Sequence, residues 1–278
     1  DFMPENFFTD LRKENSNEFY RVYIDEDCAD IYSKKDFNYN AGIMLDYYGV
    51  YSYDSMYQPE LSELVLANDE YSWWFKLKDA NLLDTLSVKY YVGILGDDFL
   101  EENNLSYVGQ IGNSNYYLYQ NHDYIPFGYT NNRIEEYTDY LSLSAVEKGR
   151  MMRESLIIKE EDIEKYQLDQ LSLNSIHYLE NVNVENNSVH GVIHCDQEEL
   201  LFLSIPKDDG WKAYIDNRKA DIINTNLGMM GILVPEGTHE ISLKFVPKGF
   251  YVGVGTCFLS VCIYLYILYQ HKRFKRSI

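Results

Sequence analysis

Residues 235–269 read PEGTHEISLKFVPKGFYVGVGTCFLSVCIYLYILY. The stretch opens with the turn Pro235-Glu236-Gly237. Apolar and polar residues then alternate up to Pro247, the pattern of a strand with one face in a core. Lys248 alone separates that strand from Gly249–Tyr269, a run without Asp, Glu, Lys or Arg. At about 1.5 Å per residue its roughly 21 residues span about 31 Å, the thickness of a hydrocarbon core. A core helix of a soluble protein carries polar residues along one face. The run therefore reads as a transmembrane helix, and the strand before it as the last element of a domain lying close to the lipid.

Beyond the run stand Lys272, Arg273, Lys275 and Arg276, a basic cluster of the kind expected on the cytoplasmic side of a membrane. The chain has 24 basic and 44 acidic side chains, a net charge of −20. Without the four tail residues the balance is 20 against 44, or −24. Residues 1–248 are thus expected to be extracytoplasmic and 271–278 to form a basic cytoplasmic tail. A domain on that side needs a signal upstream. Asp1 is preceded by none, so further membrane helices of the same chain, or a signal peptide, are expected before it.

The acidic balance makes nucleic acid an unsuitable partner, because the chain has no excess of positive charge to neutralise a phosphate backbone. The 46% hydrophobic content supports a folded core in the soluble part. Cys28 and Cys195 are too far apart in sequence to be judged as a pair, and Cys257 and Cys262 fall inside the membrane run. No disulfide framework or CxxC site is present.

The expected fold class is α+β. Residues 1–130 read as a mixed α/β extracytoplasmic domain: a helical start at Phe7–Lys13, a strand at Phe19–Ile24, a helix at Glu60–Leu66 behind Pro59, and a strand at Val88–Leu95. The hairpin LSYVGQIGNSNYYLYQN follows, with its turn at Gly112–Asn115. Residues 131–171 read as a helical bridge, with Ser144 and Glu147 spaced as a capping box and EEDIEKY as a second short helix. Residues 172–248 carry seven short strands, at 177–184, 188–195, 200–205, 211–215, 220–225, 229–234 and 239–246, which suit a β-sandwich. The membrane helix (249–270) and the tail complete the chain.

Four stretches in order resemble the YfhO family of bacterial multispanning membrane proteins. YNAGIMLDYYGVYSYDS (39–55) is similar to that family's Asn-and-Gly loop, LLDTLSVKYYV (82–92) to its "LL..L.VKY" element, and YYLYQNHDYIPFGY (116–129) to its "Y.YEN...LP.G" element. The fourth, LFLSIPKDDGWKAYIDNRKADIINTNLGMMGILVPEGTHEISLKFVPKGFYVGVG (201–255), is similar to its "GWKAYVDG" turn, "MGI" strand, "P.G.HEI" turn and last membrane helix. The resemblance implies a membrane-embedded glycosyltransferase of the GT-C type. Such an enzyme takes sugar from a polyprenyl-phosphate donor and adds it to an envelope polymer such as lipoteichoic acid. Its catalytic acid is expected on an early outer loop, outside this sequence, so no catalytic residue is carried over. The implied partners are membrane lipid, polyprenyl-phosphate sugar, an envelope glycopolymer and the upstream helices. No cofactor is identified.

Within the chain, Tyr occurs 27 times, by compositional bias or as faces that stack on sugar rings. Tyr47, Tyr48, Tyr51, Tyr53 and Asp54 crowd one Gly-containing loop and are candidate carbohydrate contacts, set against ordinary loop packing. Trp211, just after Asp208-Asp209-Gly210, faces either core or acceptor. His190 and His194 share one strand face, but no third metal ligand is evident. Asp97, Asp98, Glu101 and Glu102 lack EF-hand spacing and read as a solvated turn. Asn104 and Asn186 fit the N-glycosylation pattern incidentally, and no nucleophile elbow or phosphate loop is present.

Overall fold

The computed structural model describes residues 6–15, 18–25, 28, 42, 46–50, 79–95, 103–172, 174–185 and 187–275. The helix read at Glu60–Leu66 and the acidic cluster at Asp97–Glu102 lie outside them. The described residues form a mixed α+β fold of several sheets, with one apolar C-terminal helix.

The N-terminal sheet has the order β1-β2-β4-β3. Strand β2 (Val88–Gly93) is buried along its whole length, as a central strand covered on both faces must be. It pairs in parallel with β1 (Arg21–Ile24) and antiparallel with β4 (Tyr117–Asn121). The β3 strand (Leu105–Gln110) and β4 make the expected hairpin, and Gly112 takes the left-handed backbone (φ 58°) that its turn demands. Helix α1 (Phe7–Glu14) buries Phe8 on this sheet. The short helix α2 (Ala80–Thr85) is capped by Asp79, whose carboxylate accepts from the backbone N–H of Asn81 at 2.9 Å and of Leu82 at 3.2 Å.

The middle segment holds helices α3 (Tyr137–Leu141), α4 (Ala145–Glu154) and α5 (Glu160–Tyr166). Between them runs a short parallel ladder of β6 (Ile134–Glu136) and β7 (Leu156–Ile158). The capping box at α4 is present: the Glu147 carboxylate accepts from the Ser144 backbone N–H at 3.0 Å and from its hydroxyl at 2.6 Å.

The C-terminal part is a two-sheet sandwich. One sheet has the order β13-β14-β10-β5 and the other β12-β11-β15-β9-β8. Their ranges are β5 Tyr129–Thr130, β8 Glu180–Glu185, β9 Ser188–Cys195, β10 Glu199–Pro206 and β11 Trp211–Ile215. The remainder are β12 Arg218–Ala220, β13 Ile223–Thr225, β14 Met229–Val234 and β15 Gly237–Phe245. Alternation decides the inner faces: Val189, Ile193, Ala213, Ile241 and Leu243 from one sheet meet Leu201, Leu203, Met230 and Ile232 from the other. The single strand expected over 220–225 is two strands, β12 and β13, belonging to different sheets. The break between them lets the chain change layers.

Two features weld these parts into one packing unit. The two-residue strand β5 pairs with β10, aligning Thr130 with Leu201 and Tyr129 with Phe202. A continuous core also runs from Tyr23, Tyr91 and Leu82 through Tyr129, Tyr140 and Leu156 to Phe202 and Met229. The turn from β13 to β14 is pinned to that core by Asn226, which is fully buried at φ 41°. Its side-chain oxygen accepts from Ile157 N–H at 2.8 Å, its amide donates to the Met152 carbonyl at 3.3 Å, and its backbone N–H donates to the Ile157 carbonyl at 2.8 Å.

Helix α6 (Phe250–Lys275) has exposed apolar side chains around its circumference. The stretch Phe250–Lys272 is long and apolar enough to cross a membrane.

Replacing Asn226 by Ala removes both side-chain bonds and leaves buried backbone groups without partners, which lowers stability by about 2–3 kcal/mol. The solvent-exposed Asn217, with a similar φ of 64°, serves as control, since Asn217→Ala costs only the backbone preference, about 1 kcal/mol. Urea unfolding of the two variants checks the difference.

Candidate functional site

Three places in the described structure combine chemistry with position: the junction between sandwich and membrane helix, the surroundings of Tyr48, and a histidine–carboxylate cluster at the β9–β10 turn.

At the junction, β15 ends at Phe245 and α6 begins at Phe250. The link is short and braced. The Asp208 side chain accepts from Gly210 N–H at 2.7 Å, the Gly210 carbonyl accepts from Val246 N–H at 3.0 Å, and Lys248 Nζ donates to Asp209 at 2.8 Å. Gly210 is required by close approach, because a Cβ there would stand 2.7 Å from the Val246 carbonyl oxygen. Gly249 turns the chain at φ 84°, and Phe250 N–H closes on the Pro247 carbonyl at 3.0 Å. Trp211 aligns with Phe245 across the ladder, with ring centroids 5.0 Å apart. It has the same parity as buried Ala213, so its half-buried indole closes the membrane-proximal end of the sandwich core.

Tyr48 is reached from both halves of the molecule. Its ring lies 4.7 Å from Phe19 and beneath the Arg12 guanidinium at 5.9 Å, and its hydroxyl donates to the Val184 carbonyl at 3.3 Å. The adjoining cavity, lined by Phe8, Arg12, Tyr47 and Tyr48 among others, has a volume of about 20 Å³, room for about one water. A sugar ring would approach Tyr48 from outside it. Tyr51, Tyr53 and Asp54 lie outside the described residues. Tyr48 and Trp211 are not brought together. Val184, Val189, Leu243 and Ala213 follow one another in register across β8, β9, β15 and β11. Three strand spacings, about 14 Å, therefore separate the two ends of that row.

The third place was visible in sequence only as the pair His190 and His194. In the structure His194 projects toward Asp196, its Nε2 at 3.6 Å, while Thr238 Oγ1 lies 2.9 Å from its Nδ1. His177 enters from the segment before β8. Its Nδ1 lies 2.8 Å from the Glu199 carboxylate and its Nε2 3.3 Å from Asp196. Glu199 is buried, and its second oxygen has no hydrogen-bond partner. The bond to Glu199 raises the His177 pKa above the ordinary imidazole value, with Asp196 adding to it. Among the described residues no three His, Cys, Asp or Glu are arranged to hold a metal ion. The cluster acts as a hydrogen-bonded clamp that ties the segment before β8 to the β9–β10 turn, and its carboxylate partners favour the protonated form of His177. Cys195, next to it, is buried, and burial pushes its thiol up to about 12, so it is inert.

A further cavity of about 250 Å³ lies against α4, lined by Arg133, Glu147, Arg150 and Glu154 with Leu143 and Met151. Arg133 is already paired with Glu135 at 2.6 Å. Sequence reading missed this cavity: Glu147, Arg150, Met151 and Glu154 share one face of α4, but only the fold brings Arg133 and Leu143 from neighbouring loops against that face. Of the tail residues, Lys272 is exposed at the end of the membrane helix; Arg273 and Lys275 fall in its last turn, and Arg276 lies beyond the described residues.

Residues 138–256 match the family model described as bacterial membrane protein YfhO. The match begins within α3, takes in every sandwich strand except β5 and ends in the second turn of α6. It shows the resemblance read from the sequence for this part of the chain, while the three N-terminal motifs fall outside it. With helix α6 it supports a membrane location and a membrane-associated role. No curated protein matches the chain.

The clamp gives a signed pH dependence. A raised imidazole pKa contributes stability that is fully present below the unfolded value near 6.5 and is lost as pH rises through the folded value. His239, raised by Asp216, acts in the same direction. Urea midpoints measured at pH 6 and pH 8 are expected to fall for the native chain, and to fall less for His177→Gln. Equal falls in both would remove the clamp.

Proposed function

We propose that this chain is the extracytoplasmic C-terminal portion of a polytopic membrane glycosyltransferase. In this reading the enzyme transfers a sugar from a polyprenyl-phosphate donor to a cell-envelope polymer such as lipoteichoic acid. The observation that carries the reading is the braced junction within a region that matches the YfhO membrane family. A strand that passes into a membrane helix through four residues, tied by the Asp209–Lys248 pair and the Gly210–Val246 bond, holds a sandwich at the height where lipid-linked sugars expose their head groups. A donor fixed in the bilayer and an acceptor outside it must meet within one geometry, and positioning of this kind contributes much of a transfer rate. The chain then shapes that meeting place, with Tyr48, Tyr51, Tyr53, Asp54 and Trp211 as proposed carbohydrate contacts. The catalytic acid is supplied by membrane-proximal loops elsewhere in the protein. The tail Lys272, Arg273, Lys275 and Arg276 sets the proposed sidedness, with residues 1–248 outside and the tail in the cytoplasm.

The test is made in the organism that carries the gene. Deleting the gene is expected to lower the sugar content of an envelope polymer, and the intact protein to restore it. A version with ten flexible residues inserted between Lys248 and Gly249 is expected to be expressed but to transfer sugar about tenfold more slowly or worse. Unchanged sugar content after deletion would leave the alternative, a non-catalytic membrane-anchored module for binding or structure at the envelope.

A further inference from the structure

The outer face of the five-stranded sheet is electrically graded along its strands. Residues 212 and 214 of β11 and 240, 242 and 244 of β15 have the parity opposite to buried Ala213, Ile241 and Leu243, so they point away from the core. In the row nearest the membrane helix, Lys212 stands directly across from Lys244, and both are exposed. The next row places Lys219 of β12 beside Tyr214, which faces Ser242. Two residues further along, the sign reverses with Glu240, whose N–H and carbonyl are taken by Asp216. Acid is met again at the far side of the first row, where Ser188 follows Lys244 and Glu185 follows Ser188.

This arrangement runs against local stability and against the composition of the chain. Like charges directly opposite in an antiparallel pair are destabilising, and the chain carries 44 acidic side chains that could have filled one of the two positions. Among the described residues neither Lys212 nor Lys244 has an ion-pair partner, whereas Lys248 is satisfied by Asp209. The position is also fixed. Six Cα–Cα steps join Lys244 to Phe250, so its Cα lies within about 20 Å of the start of the membrane helix. Long lysine side chains shorten the remaining gap to the head groups.

We propose that this lysine ledge, Lys212, Lys244 and Lys219, docks on the anionic phospholipid head groups of the membrane that α6 crosses. The contact is made to lipid phosphates at the surface, independently of any sugar transfer. It rests on charge complementarity and on the short tether, and it sets which face of the sandwich is turned toward the bilayer. Repulsion between the opposed lysines is relieved when phosphates lie between them, so a pairing unfavourable in water becomes favourable on the membrane.

The experiment is a lysine footprint on the full 278-residue chain. The chain is reconstituted in nanodiscs of neutral phosphatidylcholine, with or without phosphatidylglycerol, and acylated briefly at pH 8 before mass spectrometry. A surface potential of about −30 mV holds ammonium groups protonated, so acylation at Lys212, Lys219 and Lys244 is expected to slow about threefold in anionic discs. Lys13 and Lys165, on other elements, are expected to keep their rates. Half-molar salt should restore the neutral-disc rates. The single reversal Lys212→Glu separates docking from folding. It converts a repulsive cross-strand pair into an attractive one, so thermal stability in detergent stays equal or rises while the slowing at Lys244 is lost. Equal rates at Lys244 in the two kinds of disc overturn the proposal, as does a slowing of the same size at Lys165. Protection in neutral discs by inorganic phosphate alone would also overturn it, by making the ledge a small-anion site.

Discussion

The guanidinium of Arg21 is the interaction on which the joining of the two sheet systems depends. It donates to the Leu86 carbonyl at 2.6 Å, to Ser204 Oγ at 2.8 Å and to the Ser204 carbonyl at 2.8 Å. The rings of Phe19 and Phe127 cover it at 5.2 and 5.8 Å. Among the described residues no carboxylate faces it. Desolvation lowers its pKa to about 10, so it keeps its proton at neutral pH. Only a planar fork can serve acceptors on two elements at once while lying flat between aromatic faces, and a lysine there would satisfy fewer of them. Because Leu86 precedes β2 and Ser204 lies in β10, one side chain fixes the N-terminal sheet against the sandwich.

A buried charge, Asp84, ties distant segments in the same way. Asp84 of α2 accepts from Asn121 at 2.8 Å and from Arg153 of α4 at 2.8 Å. Burial still holds its carboxyl above the usual carboxylate range despite those bonds. Arg21, Asp84 and Asn226 all tie segments far apart in sequence, and all are polar groups whose loss leaves buried partners unsatisfied. Apolar burial in this chain is plentiful. What makes the packing unique is where these few polar groups find their partners.

That distinction explains what could be read from the amino-acid order. The alternation in ISLKF, the Ser144–Glu147 spacing and the turn in QIGNSNYY are local, and the strand, the capping box and the hairpin stand where they were read. The split of 220–225 was hidden, because the layer change follows from pairing Ile223 with Gly231 and Ala220 with Ala213, choices made by distant strands. The addition of Tyr129–Thr130 to the sandwich was equally silent, since two residues carry no periodicity. The same reasoning holds for the candidate sites. Trp211 was placed near a strand start by its Asp-Asp-Gly turn. His177, by contrast, gave no signal, because its partners Glu199 and Asp196 lie about twenty residues away and only the fold brings them to it.

Helix α6 is attached to β15, and β15 lies in the middle of its sheet, between β11 and β9. A tether on an edge strand could peel away by breaking one ladder, whereas displacing β15 breaks two. Trp211 through Ile215 pair on one side with Phe245 through Ile241, and Ser188 through Cys195 pair on the other with Lys244 through Gly237. Motion of the helix relative to the sandwich is thus confined to Val246–Gly249, where Pro247 offers no donor and Gly249 has the left-handed backbone. Even there the Gly210–Val246 and Asp209–Lys248 contacts oppose it. A domain built in this way transmits the tilt and depth of its helix to the whole sandwich. Through Arg21 and the shared core it transmits them to the N-terminal sheet, so the pose of the helix sets the pose of the described sheets together.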